Sequence, residues 1–333
     1  MLKKVLIIFT GGTCLSSVTK NGLKPVFQKP LFSKKFPALN KIAHITEISI
    51  LNIDSTNIEP KHFTLFSEII LKKQKEYDGF VIAHGTYTMA YTSAALSFSL
   101  AALNKPVVLT GSVEPLTSPN SDIEQNFTQA ITVAASQKIK EVCLVFHGQV
   151  IKGACAYKSK NELSKITNEN IKVFSSINFP LIAKFQNYKL IVKNNLLSVS
   201  PLDYNLALTK FDASKVVLIK LFPGIASNIL DFYKNKKAIV LEAFGTGNIP
   251  FLYEDWPEKI KNLTDKGVVI VVSTQHKFGE SDVEKYEAGQ YAMKAGAISS
   301  FQITAETALI KLMWIIGNFP DYQASEIKKE FFK

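Results

Sequence analysis

Short apolar runs without polar interruption recur along the chain, at residues 5–9, 80–83, 107–109, 142–146, 216–219, 238–241 and 268–272. Continuous runs of this length read as strands buried on both faces rather than as half-solvated, alternating ones. Between them lie stretches of helical periodicity, at 63–76, 88–103, 123–137, 226–235, 284–295 and 304–316. Strand and helix in alternation predict an α/β fold with a mostly parallel sheet. In such sheets a ligand sits in the crevice outside the carboxyl ends of the strands, so the loops there are where chemistry is expected. Between residues 178 and 213 the pattern loosens into Asn, Ser, Lys and Pro with scattered apolar residues, and then alternation resumes. A domain boundary is expected there, dividing the chain into 1–195 and 213–333.

Composition narrows the function classes. With 333 residues, 47% of them hydrophobic and 20% charged, the chain can bury a large core and is far from the disordered class. Its formal charge of +11 would suggest a nucleic-acid or membrane-surface binder. All 39 cationic residues are Lys, however, and they are spread along the chain, whereas specific phosphate and base recognition leans on the guanidinium fork. The expectation is a solvated Lys-rich surface, with neither nucleic acid nor membrane as partner. Three cysteines, Cys14, Cys143 and Cys155, form neither a C-x-x-C pair nor a metal-spaced set with His, which argues against a disulfide framework and a zinc site. The apolar run at 5–9 is shorter than a signal-peptide core, and no stretch reaches membrane-span length. A cytoplasmic protein is expected.

Four strand-end loops in the first half combine small residues with hydroxyls: Thr10-Gly11-Gly12-Thr13, Asp54-Ser55-Thr56-Asn57, His84-Gly85-Thr86-Tyr87-Thr88 and Thr110-Gly111-Ser112. Gly11-Gly12 supplies a tight turn and close backbone approach, with neither the G-x-G-x-x-G spacing of a dinucleotide site nor a P-loop ending. A sharp capped turn would explain it as well as a substrate loop would. The loop at 84–88 opens a helix, where Thr86 or Thr88 can cap and free N–H groups favour an anion. His84 reads as a packed loop histidine rather than a base. Asp54-Ser55 reads either as an Asx turn or as a carboxylate and hydroxyl for the charged groups of a small substrate. A threonine nucleophile needs a base, and Lys158, following the apolar run at 142–146, is a candidate if buried. Among 39 lysines, spacing alone does not select it.

Together, and in this order, these loops resemble the bacterial L-asparaginase family. Its T-G-G-T-I corresponds to Thr10-Gly11-Gly12-Thr13-Cys14, its D-S to Asp54-Ser55, and its H-G-T-D-T-M to His84-Gly85-Thr86-Tyr87-Thr88-Met89. Its K-P-V-V-L-T-G-S is found at 105–112, its S-D-G-x-x-N at Ser121-Asp122 and Asn126, its F-G-x-G-N-x-P at 244–250, and its later strand end at Ser273-Thr274-Gln275. The resemblance spans nearly the whole chain. It implies a larger N-terminal α/β domain with a mostly parallel sheet, a smaller C-terminal α/β domain, and a homodimer or homotetramer whose sites neighbouring subunits complete. It implies an amidohydrolase acting on a small-molecule amide, with Thr13 as nucleophile and Thr86 with Lys158 activating water. Gly12, Asp54, Ser55, Gly85, Tyr87 and Asn248 would contact substrate, Thr110-Gly111 would line the pocket floor, and neither cofactor nor metal would be required.

Two positions depart from the family pattern. Tyr87 stands where the motif carries Asp, replacing a carboxylate by a neutral phenol beside the expected lysine. Asn21-Gly22-Leu23-Lys24-Pro25, in the expected mobile loop after the nucleophile, offers Leu23 where members commonly carry Tyr. The residues leave three readings: an L-asparaginase, a related amidohydrolase with a shifted amide substrate, or a binding protein that keeps the fold.

Overall fold

The structure, a computed structural model, describes residues 1–20, 22–25, 32–160, 172–197 and 207–333. It divides into two compact units, Met1–Thr209 and Lys210–Lys333. Residues 198–206, within the stretch expected to join two domains, lie outside the described residues.

The first unit contains β1 (Lys4–Gly11), β2 (Ser16–Thr19), β3 (Gly22–Pro25), β4 (His44–Ile53), β5 (Gly79–Ala83) and β6 (Val107–Thr110). It continues with β7 (Val142–Phe146), β8 (Gln149–Lys152), β9 (Ala156–Lys158), β10 (Phe174–Ser176), β11 (Ala183–Gln186) and β12 (Lys189–Val192). Its helices are α1 (Phe32–Lys35), α2 (Pro60–Lys73), α3 (Met89–Ser99) and α4 (Ile123–Ser136). Eight strands form one sheet in the order β12-β11-β8-β7-β6-β5-β1-β4. β4, β1, β5, β6 and β7 run parallel, and β8, β11 and β12 extend the sheet antiparallel.

The unbroken apolar runs follow from burial on both faces of this sheet. Side chains alternate across a strand. On β1, Val5, Ile7 and Phe9 enter one core with Phe127 and Ile131 of α4 and Phe32 of α1. Leu6 and Ile8 enter the other, with Phe66 and Ile70 of α2 and Met89 and Leu96 of α3. Three rings anchor the first core: Phe9 lies 5.1 Å from Phe32 and 6.1 Å from Phe127, and Phe32 lies 4.7 Å from Phe127, centroid to centroid. β4, at the edge, is only half-buried, and polar residues interrupt its apolar ones.

The second unit carries a parallel sheet of β13 (Val216–Lys220), β14 (Ala238–Ala243), β15 (Val269–Thr274) and β16 (Ile298–Ser299) in that order. Its helices are α5 (Trp256–Asp265), α6 (Glu287–Lys294), α7 (Ala305–Asn318) and α8 (Ala324–Phe331). Trp256 and Ile260 of α5 and Ala292 of α6 pack on Ile239, Leu241, Ile270 and Val272.

The fold class is thus α/β, with a large mostly parallel sheet and a smaller second sheet, as the alternation predicts. Two local expectations change. The helical period at 226–235 forms a 3-10 run, Ser227–Tyr233, rather than an α-helix. Lys234 and Lys236-Lys237 follow it directly, and β14 begins at Ala238, which leaves little room for a longer helix. Gly22–Pro25, expected in a mobile loop, instead pairs antiparallel with Ser16–Thr19, placing Leu23 opposite Val18; Asn21 lies outside the described residues. Among the described residues no helix is long and apolar enough to cross a membrane.

Because Phe9 is fully buried in the three-ring contact, Phe9→Ala is expected to cost about 3–5 kcal/mol in urea unfolding. Phe278→Ala, at a side chain 67% exposed, is expected to cost less than about 0.5 kcal/mol. Comparable losses from both would contradict the placement of Phe9 at the centre of the core.

Candidate active site

The site is built where β1, β4 and β5 end side by side. Thr10 Oγ1 donates to the carbonyl of Ala83 at 3.0 Å, tying the end of β1 to that of β5. His84 N donates to the carbonyl of Thr110 at 2.9 Å, and Thr110 Oγ1 donates to Val145 O at 2.9 Å, carrying the tie on through β6 to β7. Gly12 then leaves the sheet with φ 80°, a left-handed conformation in which a Cβ would be strained. That Cβ would also stand 2.6 Å from Gly85 Cα. The two glycine backbones touch, so Thr13 and Thr86, each following one of them, arise from the same point. Thr13 opens a 3-10 turn, Thr13–Leu15.

The loop after β4 closes a third side. A Cβ on Gly85 would lie 2.6 Å from Ser55 Oγ, which accepts a hydrogen bond from Tyr87 N at 3.2 Å. Asp54 Oδ1 accepts from Thr56 N and Thr56 Oγ1, both at 2.8 Å, forming the Asx turn that presents Ser55. Thr88 occupies the N-cap of α3, but its hydroxyl makes no cap bond; it donates to Ser55 O at 2.7 Å. Thr86 does not cap either, because its hydroxyl faces a lysine.

Lys158, at the end of β9, places Nζ 2.8 Å from Thr86 Oγ1 and 4.2 Å from the centroid of the Tyr87 ring. Burial pushes this amine down to about 8, against a smaller opposing pull from Asp54. Of 39 lysines, the tertiary structure brings this one to the threonine. His84, by contrast, is sealed. Its Nδ1 is 2.7 Å from the Gly85 carbonyl, which can only accept, so Nδ1 carries the proton and Nε2 accepts from the Thr92 hydroxyl at 3.0 Å. Desolvation lowers its pKa to about 4. It braces the loop as a neutral imidazole.

Beneath Gly111 lies a polar network that the sequence motifs only half disclose. Asn126 Nδ2 donates to Gly111 O at 3.0 Å and to Asp122 Oδ2 at 2.9 Å. Asp122 also accepts from Val113 N at 3.1 Å, from Glu114 N at 3.2 Å and from His147 Nε2 at 3.0 Å. Nothing local in sequence singles out His147; its position one residue past β7 is its only signal. Asn248 belongs to the second unit, in a turn where its N–H donates to Phe244 O at 2.7 Å, and its buried Oδ1 has no hydrogen-bond partner among the described residues. The first unit thus brings together Gly12, Thr13, Asp54, Ser55, Gly85, Thr86, Tyr87 and Lys158. Among the described residues, no three His, Cys, Asp or Glu side chains cluster closely enough to hold a metal ion.

Residues 4–198 match the N-terminal domain family of asparaginases, and residues 215–331 match the glutaminase/asparaginase C-terminal domain. The chain belongs to the asparaginase family. An L-asparaginase of Thermococcus kodakarensis is 34% identical over 98% of this chain and 96% of its own length. A glutamyl-tRNA(Gln) amidotransferase subunit of Pyrococcus abyssi is 32% identical over 98% of this chain and 75% of its own. Among solved structures, the thermostable L-asparaginase from T. kodakarensis superposes with a TM-score of 0.83 at 33% identity, covering 99% of this chain and 97% of that one. L-asparaginase I from Vibrio cholerae gives the same TM-score at 28% identity.

In this asparaginase-family site His84 also leaves a signature in stability. Its folded pKa lies below its unfolded value of about 6.5, so between pH 6.5 and 4 the unfolded chain binds the extra proton and stability falls with pH. The full penalty, on the order of 3 kcal/mol, is expected below pH 4. His84→Gln should lose stability at pH 7 yet show a shallower decline on acidification, read by urea unfolding at pH 7 and 4.5. Parallel declines in both proteins would contradict a buried neutral His84.

Proposed function

We propose that this chain is an amidohydrolase that converts L-asparagine to L-aspartate and ammonia through an acyl-enzyme on Thr13. The observation that carries the reading is the 2.8 Å contact between Lys158 Nζ and Thr86 Oγ1, in a site where burial brings the amine to about 8. Near pH 8 a large fraction of Lys158 is neutral, and its lone pair can take the Thr86 proton. Thr13 Oγ attacks the side-chain amide carbonyl and its proton passes to the departing nitrogen, which leaves as ammonia. Water, deprotonated through Thr86 and Lys158, then attacks the acyl ester, and Thr13 Oγ takes back a proton as the acid is released. Backbone N–H groups of the loops at Gly12 and Gly85 stabilise the oxyanion. Asp54 and Ser55 take the substrate's α-amino and α-carboxylate groups.

In this reading the substrate is a small amide, Asn248 is a further substrate contact, the assembly is a homodimer or homotetramer, and the protein works in the cytoplasm without metal or cofactor. The similarity to L-asparaginases and to amidotransferase subunits supports amide chemistry and makes L-glutamine a substrate to test beside L-asparagine. A second reading rests on Tyr87. The group over Lys158 is a neutral ring rather than a carboxylate, which favours an amide without a free α-ammonium.

Ammonia release should be followed with L-asparagine, L-glutamine and amides lacking the α-amino group. Thr13→Ala and Thr86→Ala are each expected to abolish release, and Lys158→Met to lower it roughly 10²–10⁴-fold. Release from L-asparagine that survives Thr13→Ala would overturn the acyl-enzyme assignment. Release confined to amides without the amino group would establish the second reading.

A further inference from the structure

Tyr87 is 56% exposed, yet its ring covers the one amine that the site's chemistry uses. We propose that Tyr87 is a positioning residue: its neutral ring holds the Lys158 amine on the Thr86 hydroxyl and screens it from water without supplying a counter-charge. The inference rests on the hydrolase reading only for the use made of the proton; the contact itself is independent of it.

The surroundings of Lys158 make the ring decisive. A lysine has a four-carbon stem with many rotamers, and a single hydrogen bond does not hold it in one. Here Nζ meets Thr86 Oγ1 at 2.8 Å and the ring at 4.2 Å, so it is gripped from two directions. Among the described residues, the other elements packed around it bring little charge. β10, paired with β9 at Phe174↔Lys158, contributes only Phe and Ser, and α3, Met89–Ser99, contains no ionisable acid or base apart from Tyr91. Along the chain, Lys160 adds a second cation two residues on. Asp54 is the acid whose field reaches the amine, and its effect is smaller than that of burial.

A ring at this position acts differently from a carboxylate. An ion pair would favour the ammonium strongly and keep the proton on Lys158. The ring quadrupole favours the ammonium weakly, so the amine can be neutral before the reaction. When the amine takes the Thr86 hydroxyl proton and becomes the ammonium, the ring face then stabilises the charge that has formed. The proton moves from Thr86 Oγ1 to Nζ along the existing contact, and Thr86 Oγ1 takes its replacement from the attacking water.

The test reads Lys158 directly. Pulse labelling of the native full-length protein with acetic anhydride, across pH and quantified by mass spectrometry of the peptide bearing Lys158, gives the midpoint at which that amine becomes reactive. Tyr87→Asp is expected to raise the midpoint by roughly one pH unit or more, while Tyr87→Phe, which keeps the ring face, leaves it in place. The acid limb of kcat for any amide hydrolysed should move with it in Tyr87→Asp and stay in Tyr87→Phe. An unchanged midpoint in Tyr87→Asp, or a Phe variant shifted as far as the Asp variant, would overturn the proposal. Labelling that behaves as expected in a protein silent on every amide would instead overturn the hydrolase reading and leave the contact standing. Unfolding midpoints of the variants, at an exposed position, guard against a trivial loss of structure.

Discussion

Everything in the first unit's site depends on two backbones meeting at Gly12 and Gly85. Parallel strands β1 and β5 deliver their carboxyl ends side by side, but side chains would ordinarily hold the following loops apart. With hydrogen in place of Cβ at both positions, and φ 80° at Gly12, the loops close to contact. Thr13 and Thr86 follow immediately. Gly85 is hemmed on its other side by Ser55, so the loop from β4 is drawn to the same point. Three loops from three strands converge because two residues lack a side chain.

The second determinant is electrostatic. A lysine amine half-buried among mostly neutral groups loses hydration that it recovers only in part from a hydroxyl, a ring face and one carboxylate, so its charge becomes conditional. Fuller burial acts on His84 with another outcome. Enclosed by Gly85 O and Thr92, it is held neutral and becomes a strut rather than a base. Desolvation thus separates two groups of comparable chemical promise into an amine that can exchange a proton with Thr86 and an imidazole that cannot.

Much of this is legible in the residues. The apolar runs locate β1, β5, β6, β7, β14 and β15, because strands covered on both faces have no need of alternation, and they locate the partly buried edge strand β13 as well. β4 and the antiparallel extension are harder to see: β4 is half-buried at an edge, and β11 and β12 are short hairpin strands with exposed side chains, so neither leaves a continuous signal. The 3-10 run at Ser227–Tyr233 carries the period of an α-helix, because apolar spacing does not distinguish a tight helix from a regular one. His147 carries no signal in sequence beyond its place at the end of β7, since its partner Asp122 lies 25 residues away and the two meet only through the return of α4 to β7.

By itself the sequence determined the α/β class, the strand-end position of the candidate site and the identity of the glycines and hydroxyls there. These follow from local rules: periodicity, turn chemistry and the absence of a Cβ. Spacing left Lys158 one among many identical cations and only the family resemblance named it; the tertiary structure set its amine on Thr86, turned Thr88 away from its helix toward Ser55, and laid the Tyr87 ring over the amine. Those choices join residues far apart in the chain, 72 positions in the case of Thr86 and Lys158. Burial and distance, which set the charge of an amine, exist only once the strands have been assembled into a sheet.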